Sequence, residues 1–278
     1  MTETDTQLGG GYTCQWQCAI LLALNYFFDP VRYNPTLFDL VNDFLGPVAK
    51  IYLEGEDRES DIDLEDINLI NGDRRILIQV KTKQAEGKRW TLSSSLLLKA
   101  LYRFYDGAFF AEQPDETRFV FLTNRPFNPD LVQVTSAIRN GTLEHCPEAD
   151  ALCRYLDRYA RQERKAEQID PARFRQLLAR TSLVEYLALD AVKANIQAKL
   201  QACGRPDWER AYAALFEDFA RRSTRLGGSI VTRESVTEVL GPLPEPTLRD
   251  KELAYLDGLL KRYQHWRDHY TPLAGIAE

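Results

Sequence analysis

The chain has 278 residues, 44% hydrophobic and 27% charged. This is the composition of a soluble globular protein, and the length suffices for one large domain or two modest ones. A formal net charge of −6 argues against indiscriminate nucleic-acid binding. No apolar run approaches bilayer-spanning length, and Met1-Thr2-Glu3-Thr4-Asp5 lacks the basic region of a secretory signal. The expectation is therefore a cytoplasmic protein with no membrane association.

In chain order, Gly9-Gly10-Gly11 reads as a flexible lead-in. Tyr12 to Phe28 reads as a helix, with Ala19, Leu22, Ala23 and Tyr26 at core spacing and Asp29-Pro30 ending it. A short helix is predicted over Pro35 to Phe44. Strands follow over Val48–Leu53, Asp63–Ile70 and Arg75–Thr82, the last two joined by Asn71-Gly72-Asp73, a strong hairpin signal. Ser93–Tyr105 reads as a helix capped by Ser93 or Ser94, with Leu97, Leu101 and Phe104 facing inward. Arg118–Thr123 is a buried strand. Beyond about residue 130 strand signals fade. Helices are predicted over Ala149–Ala166, Pro171–Ala179 (Pro171 at the first helical position), Leu183–Cys203, Asp207–Ser223 and Arg233–Leu240. The proline-rich 241–246 is a stiff linker before a last helix, Leu248–Tyr270. The division this suggests is a core over 1–135, a helical extension over 136–240 packed on it, and a linker with a C-terminal helix over 241–278.

Five cysteines, an odd number, do not make a disulfide framework. Cys14 and Cys18, four apart in an apolar helical pattern, fit core burial. Cys146 and Cys153, even with His145, lack zinc-site spacing. Charge is unevenly spread. Glu54, Glu56, Asp57, Glu59, Asp61, Asp63, Glu65 and Asp66 crowd together, and Arg74, Arg75, Lys81, Lys83, Lys88 and Arg89 follow. A calcium-loop reading of Asp57-x-Glu59-x-Asp61-x-Asp63 fails, because Ile62 and Asn68 stand where such a loop needs Gly and Glu. Arg154, Arg158, Arg161 and Arg164 form a basic helical face that suits duplex backbone or a simply solvated surface.

The most informative stretch is Arg74-Arg75-Ile76-Leu77-Ile78-Gln79-Val80-Lys81-Thr82-Lys83. Strand alternation puts Gln79, Lys81 and Lys83 on one face and Val80 and Thr82 on the other. A lysine two residues after an amide on a buried strand is costly unless something employs it. The hairpin brings Asp66 near both. A carboxylate, a carbonyl oxygen and a lysine on one face can hold a divalent metal and orient a water for phosphodiester hydrolysis.

The helix, three-strand, helix, strand order with Asp66 and Gln79-Val80-Lys81 resembles the PD-(D/E)xK nuclease superfamily. More narrowly, it resembles the double-stranded-DNA endonuclease effectors of antiphage defence found beside cyclic-oligonucleotide sensors or before STAND/NACHT ATPases. Gly10-Gly11-Tyr12-Thr13-Cys14-Gln15, and Phe119–Thr123 with Asn124-Arg125-Pro126, add to the likeness over roughly residues 9–130. Gln79 departs from the usual Glu, a substitution this subgroup is known for. The segment from Tyr255 to Leu273 resembles the join to a NACHT-type ATPase, although no phosphate-binding G-x-x-x-x-G-K-[ST] motif is present.

The resemblance implies an α/β fold, a restriction-endonuclease-like αβββαβ core with a C-terminal helical extension. It implies a Mg²⁺-dependent (or Mn²⁺-dependent) endodeoxyribonuclease of low sequence specificity, acting on double-stranded DNA in antiphage defence and activated by homo-oligomerisation, with a sensor or STAND/NACHT ATPase partner. Asp66, Gln79, Lys81 and Gln15 would be catalytic. Asp66, Gln79 and Glu54 would hold the metal, and Lys83 and Arg125 would contact DNA phosphate. The competing reading is a catalytically silent nuclease-like fold serving as a DNA-binding or protein-interaction module. An RNase also remains open, since nothing addresses a 2′-hydroxyl.

Overall fold

The protein is described here by a computed structural model covering residues 3–28, 44–46, 48, 50–53, 56–57, 62–63, 67–82, 89–107, 115–164, 168–185, 189–223, 229–241, 256 and 260. The architecture is mixed α/β with a helical extension. A six-stranded sheet is sandwiched between two helical layers. The chain opens with α1 (Glu3–Phe28), then β1 (Lys50–Leu53) and the short pair β2 (Glu56–Asp57) and β3 (Ile62–Asp63). The hairpin β4 (Ile67–Asn71) and β5 (Arg74–Lys81) follows, then α2 (Ser95–Asp106) and β6 (Thr117–Thr123). The later part holds α3 (Pro129–Asn140), α4 (Pro147–Glu163), α5 (Pro171–Ala179), β7 (Thr181–Glu185), α6 (Leu189–Ala202), α7 (Trp208–Ser223), β8 (Ser229–Val231) and α8 (Arg233–Leu240).

The sheet order is β7-β6-β5-β4-β1-β8. β1–β4, β4–β5 and β1–β8 are antiparallel, while β5–β6 and β6–β7 are parallel. The β4–β5 hairpin closes on the Asn71–Arg74 pair. Gly72 there has φ of 60°, a left-handed conformation in which a Cβ is strained. Asn71 Nδ2 donates to the Leu45 carbonyl at 2.8 Å, pinning the turn to the preceding segment.

Because strand side chains alternate, each face has its own core. Ile67, Leu69, Ile76, Ile78, Val80, Val120, Leu122 and Val184 join Ile51 and Leu53 in a buried cluster with α1, α6, α7 and α8. Leu77, Phe119, Phe121 and Leu183 point the other way, into a cluster with α2, α3, α4 and α5. There Phe104 lies 4.7 Å from Phe119, centroid to centroid. Burying each such side chain contributes about 1.5–3 kcal/mol.

The structure departs from the sequence expectations in several places, α3 (Pro129–Asn140) being a helix that was not predicted. The helix predicted from Tyr12 begins at Glu3 and runs through the glycine triplet. Glycine costs helix stability but keeps its N–H donor, so it need not break the ladder. The helix predicted to start at Leu183 begins at Leu189, and Thr181–Glu185 is instead a buried strand. β8 adds a further strand beyond residue 130. All but Phe44 of the helix over Pro35 to Phe44 and all but two residues of that over Leu248–Tyr270 lie outside the described residues.

Candidate functional site

The C-terminal ends of the parallel strands converge on one edge of the sheet. The register aligns Lys81 with Thr123 and Thr123 with Glu185. In open α/β sheets this carboxyl edge is where ligands bind. Lys81 is half-buried, and Thr123 is buried. Two residues below Lys81 on the same face, Gln79 is fully buried and lies beside Phe121 in register.

Gln79 reached this depth because Ile76, Ile78 and Val80 commit the opposite face of β5 to the core with α1. The amide then has to lie under α2. Arg103, in the last turn of that helix, directs Nη1 at Gln79 Oε1, 3.5 Å away, a long hydrogen bond. Gln79 Nε2 is buried with no hydrogen-bond partner among the described residues. A buried unmatched amide N–H costs about 1–3 kcal/mol, and native proteins carry few of them.

The loop after β6 is rigidly held. Trp90 N–H donates to the Pro126 carbonyl at 2.9 Å, and Asn128 N–H donates to the Trp90 carbonyl at 2.8 Å. Phe127 N–H donates to the Glu185 carboxylate. Trp90 is fully buried, with its ring edge-on to Phe121 at 5.0 Å. Asn128 caps α3 by accepting from Leu131 N–H at 3.1 Å, with Pro129 in the first turn. Arg125 N–H meets Thr123 Oγ1 at 3.4 Å. The structure thus brings Gln79, Lys81 and Arg125 to one strand edge, and adds Arg103, Thr123 and Glu185. Sequence reasoning had no signal for Arg103, which lies on an amphipathic helix 24 positions from its partner.

Of the residues expected from the sequence, Asp66, Glu54 and Lys83 lie outside the described residues. Gln15 is buried in α1, a helix that packs on the sheet face opposite Gln79 and Lys81. Among the described residues, the group that faces the Gln79 oxygen is the Arg103 guanidinium.

No protein-family profile matches the chain, and no curated protein matches it. Solved structures do. One is the Acinetobacter baumannii Cap4 SAVED/CARF-domain containing receptor with the cyclic trinucleotide 3′3′3′-cAAA, at 10% identity and TM-score 0.46, covering 88% of this chain and 46% of that one. Another is the Moraxella osloensis Cap4 SAVED/CARF-domain containing receptor, at 10% identity and TM-score 0.47, covering 83% of this chain and 46% of that one. The chain therefore spans about half the length of these receptors.

These neighbours do not bear out the expectation of a metal-dependent endodeoxyribonuclease. They are named as receptors, two of them with a cyclic trinucleotide, and none as a nuclease. Nothing among them bears out double-stranded DNA as the partner. No helix among the described residues is long and apolar enough to cross a membrane.

Proposed function

We propose that the chain is a non-catalytic recognition module for a phosphodiester ligand of the cyclic-oligonucleotide class, bound at the carboxyl edge of β5, β6 and β7. The observation that carries this reading is Gln79. Its amide is fully buried, with Nε2 unmatched among the described residues. It lies one pleat below Lys81, at an edge that also carries Thr123 and Arg125.

Lysine and arginine at the edge supply charge for phosphate oxygens, arginine in a planar fork and lysine as a mobile point charge. Thr123 and Gln79 supply neutral polar groups that fix orientation, as in small-ligand sites generally. The antiphage setting expected from the sequence resemblance suits a sensor of this kind. Cyclic trinucleotide is the ligand of choice for testing because two of the structural neighbours are named with one.

The test is a calorimetric titration of the protein with 3′3′3′-cAAA, a linear triadenylate and a DNA duplex. Saturable binding of the cyclic ligand, weakened roughly tenfold or more by Lys81→Ala (about 1.4 kcal/mol), supports the reading. Duplex binding alone would favour the DNA-binding alternative.

A further inference from the structure

On the outer helical layer, α4 and the start of α5 border an open concavity of about 410 Å³. One helical face supplies its rim. Arg154, Arg158 and Arg161 recur at helical spacing and all line the cavity, with side chains four apart on neighbouring turns about 5–6 Å from each other. The floor is apolar, built from Cys153, Ile169 and Pro171. Cys153 and Ile169 are buried.

The charges are not balanced internally. Asp157 is the acid lining the cavity, and its carboxylate is already engaged. It pairs with Arg161 Nε at 3.1 Å and accepts from Ile169 N–H at 3.0 Å. That second bond ties the segment before α5 to α4 and shapes the floor. Asp170, which follows Ile169, is the N-cap of α5 and accepts from Ala172 N–H at 2.9 Å. Among the described residues Arg154 forms no ion pair, and Arg158 meets only the Tyr155 ring, at 6.0 Å. Among the described residues, two adjacent guanidiniums therefore face one concavity with no ion pair of their own, and each costs the other Coulomb energy until an anion enters.

We infer that this cavity is a second, separate binding site, for a small organic phosphate. Guanidinium forks match phosphate oxygens in two-point contacts. The volume falls in the range of small-molecule sites, about 300–1,000 Å³, and exceeds what a bare phosphate needs. The apolar floor receives the organic body. The inference does not rest on the strand-edge reading, since none of the residues is shared.

The test is a titration of the full chain with adenosine 5′-diphosphate and with inorganic pyrophosphate, at two salt concentrations, with a glutamate-rich peptide as the non-phosphate control. The wild type should bind the phosphates, more weakly at high salt. Arg154→Ala/Arg158→Ala should lose roughly tenfold or more in affinity, a change of about 1.4 kcal/mol, while its circular dichroism stays that of wild type. Arg154→Lys/Arg158→Lys should recover only part of the loss, because lysine keeps the charge and not the fork. Lack of phosphate binding at millimolar concentration, preference for the acidic peptide, or equal affinity in the double alanine variant would each overturn the assignment.

Discussion

Arg103 Nη1 stands 3.5 Å from Gln79 Oε1, so a helix-borne cation engages the oxygen of a fully buried strand amide. Among the described residues the Gln79 oxygen is turned toward a guanidinium and its amide N–H is the group left unmatched. Under the proposed function, this N–H is the donor for an acceptor oxygen of the ligand.

Gln79→Met keeps the volume and removes the orphaned donor. Relief of a cost of about 1–3 kcal/mol is offset in part by the acceptor that Arg103 loses. Urea unfolding should therefore give a stability equal to wild type or higher by about 1 kcal/mol, while ligand affinity falls. A loss of several kcal/mol would mean that Gln79 is structural and already satisfied.

Trp90 carries the loop that bears Arg125, through the Pro126 and Asn128 backbone bonds and the Phe121 contact. Trp90→Ala removes a fully buried indole and should cost about 3–5 kcal/mol, lowering Tm sharply in a thermal melt. Trp90→Phe should cost distinctly less.

Asp218 holds α7 to the sheet edge. Its carboxylate is 6% exposed and pairs with Arg221 and with Arg222 Nε at 2.6 Å, and Arg222 Nη1 donates to the Ile230 carbonyl of β8 at 3.0 Å. Asp218→Asn should cost about 1–3 kcal/mol. Amide exchange should rise first in 229–231, ahead of the central strands; uniform acceleration across the sheet would refute this local role.

Burial pushes the Cys153 and Cys146 thiols above the ordinary cysteine value. In the unfolded chain each loses its proton at lower pH than in the fold, so the unfolded state binds fewer protons once pH passes the ordinary value. The stability these thiols contribute is whole below that value and drains away as pH rises through the raised one. Denaturant midpoints should fall on the alkaline side, and Cys153→Ala should flatten that fall. In the native state at neutral pH, Cys203, the one cysteine that is not buried, should react first with a thiol reagent.

The face of β5 was legible in the sequence because alternation alone separates Gln79 and Lys81 from Val80, and the Asn-Gly signal located the β4–β5 turn. Asp170-Pro171 likewise marked the start of α5. β7 was not legible. Leu183-Val184 is a short apolar run, and periodicity cannot tell a buried parallel strand from a helix start at that length. β8, three residues long, carries no period at all and is a strand only because β1 offers it an edge. Arg103 was beyond reach for a related reason, and the basic face of α4 was visible without what it meets. A charged helix face reads the same whether it meets solvent, a buried amide or a ligand.

The central claim rests on Lys81 and the strand edge. The most direct measurement is the calorimetric affinity for 3′3′3′-cAAA of wild type beside Lys81→Ala, Arg125→Ala and the remote Arg154→Ala/Arg158→Ala. The account predicts saturable wild-type binding, losses of roughly tenfold or more in the two strand-edge variants, and little change in the remote one. Absence of binding by the wild type, or equal affinity in Lys81→Ala, would contradict it.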